Sequence, residues 1–122
     1  MPAYIDGFVF TVPKKKLALY KKMAQLGAKV WIDHGAVSYR ECIGEDLKVK
    51  FGLPFPKLTK AKPTETVCFS WIEYKSRAHR DKVNAKVMKD KRMENACDPN
   101  NPPFDVSKMA YGGFQVFVAG GK

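Results

Sequence analysis

Residues 66–88 read TVCFSWIEYKSRAHRDKVNAKVM, and two different periodicities meet inside them. Residues 66–74 are aromatic and β-branched, the composition of a strand. After Ser76 the spacing becomes helical: His79, Val83 and Val87 are four apart and share a face. Ser76 is a favourable N-cap, so a helix is expected from there through about Arg92. The strand is apolar on both sides, with Val67, Phe69 and Trp71 alternating with Cys68, Ile72 and Tyr74. A strand that must bury both faces constrains everything around it.

The first part of the chain repeats the alternation. Residues 4–12, YIDGFVFTV, form a strand with Tyr4, Phe8, Phe10 and Val12 on one side and Ile5 and Val9 on the other. Pro13 ends it and suits the first turn of a helix. Residues 14–34 place Leu17, Tyr20, Ala24, Gly27, Trp31 and His34 on one helical face, widened by Leu19, Met23, Leu26 and Val30. Gly35 is a natural helix stop, able to take a positive φ. Residues 36–43 form a second strand, with Val37, Tyr39, Glu41 and Ile43 on one side. Residues 44–65, with three prolines, read as a long loop. Residues 93–108 contain DPNNPPFD and read as irregular. Residues 109–118, MAYGGFQVFV, form a last strand in which Gly112 and Gly113 imply a bulge or a close backbone approach.

The order β-α-β-β-α-β predicts an α+β, ferredoxin-like fold, with a four-stranded antiparallel sheet and two helices on one face. Helices on one face leave the other apolar face open, which implies an interface. The economical arrangement is a homodimer whose sheets pack face to face, a dimeric α/β barrel built from a single domain spanning residues 1–122.

The formal net charge is +10, from 22 basic and 12 acidic side chains. This attracts polyanions, although basic helices on a solvent face are the plainer explanation. No apolar run reaches the roughly 20 residues of a membrane span. The N-terminus reads as a strand and not as a signal peptide. Cys42, Cys68 and Cys97 are odd in number, far apart and in no CxxC pair. That pattern points to reduced thiols, a cytoplasmic setting and no metal site.

His79 is a candidate general base, because an imidazole titrates near neutral pH. The competing reading is a half-buried histidine bonded to a loop or a partner chain. His34, beside Asp33 and one turn after Trp31, either edges a binding pocket or serves as a helix C-cap. Asp6, Glu41 and Glu73 are carboxylates inside strands, in register with Tyr4, Tyr39 and Trp71. Facing a closed interior they would be acid–base candidates with raised pKa values; the alternative is salt bridging across the dimer interface, with Arg40 or Arg77 as partners. Asn84 either grips a ligand or fixes its helix to the sheet. The catalytic candidates are thus His79, Asn84, Asp6 and Glu41, and the binding candidates are His34, Trp31, Tyr39, Trp71 and Arg77.

Nucleic acid enters through the basic residues of 75–92 and through aromatics on the sheet, which in the RNA-recognition motif stack bases. YGGFQVFV echoes that motif's signature only loosely, and a sheet consumed by dimerisation cannot bind bases.

YIDGFVFTVPKKKLALYKKMA, VWIDHGAVSYREC, TVCFSWIEYKSRAHRDKVNAKVM and PPFDVSKMAYGGFQVFV together resemble the YbaA-like proteins, a bacterial family of unknown function. The resemblance covers nearly the whole chain and implies the dimeric α/β-barrel superfamily. That superfamily includes cofactor-free monooxygenases, muconolactone-isomerase-like and chlorite-dismutase-like enzymes, and stress-responsive barrels. Known sites there lie between sheet and helices or inside the barrel. None of their catalytic motifs transfers residue by residue. The expected function is small-molecule binding in a cavity between sheet and helices, with cofactor-free catalysis as its enzymatic form. RNA binding by the basic helices and a non-catalytic structural or stress dimer are the alternatives.

Overall fold

The computed structural model describes residues 2–121. Strand β1 (Tyr4–Pro13) leads through a 3-10 turn, Lys14–Lys16, into helix α1 (Leu17–Asp33). Strand β2 (Ser38–Ile43) follows, then a short helix α2 (Phe55–Thr59), strand β3 (Glu65–Tyr74), helix α3 (Arg77–Met88) and strand β4 (Ala110–Gln115). The four strands form one antiparallel sheet in the order β2-β3-β1-β4, so β1 and β3 are central.

Register assigns the two faces. Asp6 lies opposite Ile72 and Gly113, Phe10 opposite Cys68, and Tyr39 opposite Ile72. These residues share the side that α1 and α3 cover. One core cluster there joins Val30 of α1 and Val83 and Val87 of α3 to Ile72 and Tyr74. A second joins Tyr20 and Ala24 of α1 to Phe10, Val12 and Cys68. Val83 and Val87 are 2% and 0% exposed, and burial of each stabilises α3 on the sheet by about 1.5–2 kcal/mol.

The helix ends follow their local chemistry. The Ser76 hydroxyl accepts from the His79 backbone N–H at 3.1 Å, and Gly35 takes φ +108° after α1. Lysines 21, 22 and 29 of α1 point to solvent. Helix α3 ends at Met88, earlier than its charge pattern predicted, and a separate 3-10 turn follows at Lys91–Met93.

Two expectations about irregular segments need correction. The 44–65 segment contains α2, because Pro54 and Pro56 occupy the start of a helix, where a missing N–H costs nothing. Helix α2 packs on the sheet face opposite α1 and α3, with Phe55 edge-on to Phe69 at 6.3 Å. On that face Val67 is buried, whereas Phe69 and Phe114 are 43% and 63% exposed. The Gly112–Gly113 pair forms no bulge, since β4 pairs with β1 in unbroken register. The close approach does occur: a Cβ on Gly113 would collide with the Tyr4 ring.

Candidate functional site

A cavity of about 410 Å³ lies between the sheet, α1 and the irregular segment before β4. Phe8 and Phe10 of β1 and Tyr39 and Glu41 of β2 form its floor. Tyr20, Met23, Gly27 and Trp31 of α1 form one wall, and Met93, Phe104 and Met109 form the other. An apolar enclosure with few polar groups is the usual make-up of a small-molecule site. Gly27 is what admits Tyr39: an added Cβ would stand 3.0 Å from its hydroxyl.

Glu41 is the polar centre of this cavity. Tyr20 donates to its Oε1 and Tyr39 to its Oε2, each at 2.7 Å. Burial first, and then Glu41, push both phenols well above the usual tyrosine range, so both remain donors. Burial, together with Glu41, also pushes the Cys68 thiol up to about 11, which leaves it protonated and unreactive. Tyr20 and Glu41 also line an adjoining cavity between α1 and β2, so the hydrogen-bonded trio stands between two spaces.

A second polar group lies at the α3 side. Asp6 is buried and accepts from Arg80 Nη1 at 2.7 Å, and Arg80 also sits over the Tyr4 ring. Burial raises the Asp6 carboxyl above its ordinary range, while Arg80 opposes that rise. The Asn84 Oδ1 accepts from Trp31 Nε1 and from the Tyr74 hydroxyl, both at 3.1 Å. This network ties α3 to the sheet and fixes the indole that walls the cavity.

The remaining candidates lie apart. The His79 Nδ1 accepts from the Lys75 N–H at 3.0 Å, and its other ring nitrogen points toward Gly35. It caps a turn and is not among the residues lining the cavity. His34 bonds Asp90 at 2.8 Å, and Arg92 joins Asp90 to Asp33. The Asp90 carboxyl is held far below its usual range by Arg92 first and then His34. Trp71 and Glu73 face the opposite side of the sheet, and Arg77 is exposed near Pro2 and Gln115. The structure therefore brings Glu41, Tyr39 and Trp31 to one cavity and joins Asp6 to Asn84 through neighbouring groups. It leaves His79, His34, Trp71 and Arg77 elsewhere. Within the chain, the partner of Asp6 is Arg80. Among the described residues, no three histidine, cysteine or acidic side chains cluster as a metal site would need.

Comparison with known proteins adds the family. A family described as "Protein of unknown function (DUF1428)" matches residues 3–106. The chain belongs to the DUF1428 family. The Escherichia coli relative "Uncharacterized protein YbaA" is 39% identical over 115 residues, covering 94% of this chain and 97% of the relative. The Shigella flexneri protein of the same name matches to the same extent. The YbaA-like resemblance read from the sequence is thus shown. In this DUF1428 member, no helix among the described residues is long and apolar enough to cross a membrane.

Sequence reasoning missed Tyr20 as a functional side chain and placed it in the core stripe. Its signal was present: it carries the one hydroxyl on that helix face. Met93, Phe104 and Met109 of this DUF1428 chain carried no signal, because they sit in segments without periodicity.

Proposed function

We propose that the protein is a homodimer of ferredoxin-like α+β domains whose sheets pack face to face, each protomer binding a small molecule in the Glu41 cavity. The observation that carries the binding reading is the cavity itself. It is largely apolar, walled by aromatic and methionine side chains, and one of its carboxylates, Glu41, is held by two phenols. The open sheet face supports the dimer. It carries Ile5, Val9, Phe69, Trp71 and Phe114 around a hollow of about 480 Å³. If the protein is catalytic, Glu41 is the group placed to accept a proton from a bound substrate.

Native mass spectrometry after mixing with a fractionated metabolite extract tests the reading. Retention of small molecules by the wild type, and their loss from a folded Ala24→Phe variant whose ring fills the cavity, is the expected result. Retention equal in the two proteins would place binding elsewhere and end this assignment.

A further inference from the structure

Glu41 makes its hydrogen bonds without an arginine partner. Asp6, Asp33, Asp81 and Asp90 each meet an arginine within ion-pair distance, whereas Glu41 meets no cationic side chain among the described residues. Arg40 is its neighbour in sequence and also lines the cavity, but its guanidinium donates to the Tyr39 carbonyl and makes no ion pair with Glu41. Lys21 lines the adjoining cavity without pairing to the carboxylate. Glu94 adds a further negative side chain to the lining.

Hydrogen bonding sharpens the point. A carboxylate offers about four lone-pair sites, and the two phenols use one on each oxygen. Each oxygen keeps acceptor capacity for a ligand. The phenols have already committed their hydrogens to Glu41, so they offer an incoming anion nothing. Tyr20, Trp31, Tyr39 and Phe104 line the same space, and aromatic ring faces attract cations.

We propose that the ligand of this cavity is an organic cation, an amine or substituted ammonium on a compact apolar body. Its charged group pairs with Glu41 and its body packs on the aromatic and methionine walls. The inference rests on the binding reading above and names the ligand class for it.

The test uses three probes of similar shape and different charge: phenethylammonium, phenethyl alcohol and phenylacetate. Each is titrated into full-length protein carrying 13C-methyl methionine. Met23, Met93 and Met109 line the cavity, and Met88, which is 71% exposed, serves as the control. Phenethylammonium should shift the three cavity methyls and bind roughly tenfold tighter than the alcohol, with phenylacetate weakest. Glu41→Gln, which keeps the shape and removes the charge, should bring the ammonium down to the affinity of the alcohol. Equal affinity for ammonium and phenylacetate in the wild type would overturn the cation assignment and leave the cavity reading standing, as would an ammonium preference that persists in Glu41→Gln. If none of the probes moves the three methyls, both fall. The wild-type comparison needs no variant to fold.

Discussion

Tyr20 on α1 donates its phenolic hydrogen to Glu41 on β2 across 2.7 Å, so one hydrogen bond ties the first helix to an edge strand. Tyr39 completes the arrangement from within β2. A bond to a charged acceptor is worth about 1.5–3 kcal/mol, less where solvent reaches it. Tyr20→Phe and Tyr39→Phe should each lower unfolding free energy by about 1 kcal/mol in urea titrations. In a Glu41→Leu background, which removes the shared acceptor, each tyrosine change should cost clearly less. Equal costs in both backgrounds would mean that the phenols act through packing alone.

The Asp6–Arg80 pair makes stability depend on pH in a definite direction. Burial raises the folded carboxyl above its unfolded value. A raised carboxyl contributes stability in acid, below the unfolded value, and that contribution is lost as pH rises through the folded one. Arg80→Met removes the opposing cation and raises the folded value further. Its penalty should be about 2–3 kcal/mol at neutral pH, since Arg80 keeps some solvent contact, and should shrink toward acid as Asp6 protonates. Denaturation of both proteins near neutrality and in mild acid checks this, and a pH-independent penalty contradicts it.

His79 holds a turn through its Nδ1, which accepts the Lys75 N–H. A neutral ring must therefore carry its proton on Nε2. Long-range 1H–15N correlation spectra should show Nδ1 as the bare nitrogen. His79→Ala should cost about 1 kcal/mol of stability and leave probe binding in the cavity unchanged.

Neighbouring glycines should respond unequally to one methyl group. Gly113 faces the Tyr4 ring, and Gly112 has nothing within 4 Å of an added Cβ. In thermal unfolding Gly113→Ala should destabilise by about 1–3 kcal/mol through overpacking, whereas Gly112→Ala should cost clearly less.

The strands and the two long helices were legible because their apolar periods are strong. β3 has alternating sets on both sides, and α1 repeats at three and four. The Ser76 cap and the Gly35 stop followed from single residues with specific chemistry. Helix α2 was not legible, because its prolines signal a loop until their place in a first turn is known. The candidate site was half legible. Glu41, Tyr39 and Trp31 stood out as polar or aromatic groups in patterned elements. Tyr20 was hidden by its own apolar stripe, and Arg80 by seven other basic residues in the same segment. The cation preference could not be read from sequence, because it depends on which basic groups fail to reach Glu41.

The division of labour between the two sheet faces is the central claim: ligand on the helix-covered side, a second copy on the open side. Light scattering of the purified protein at moderate and high salt tests it most directly. A mass of two chains at both salts is predicted, since burial of Phe69, Trp71 and Phe114 against their counterparts is apolar and is not screened. A monomer at both salts would contradict the account. It would free an aromatic sheet face on a chain of net charge +10 and turn the functional reading toward RNA.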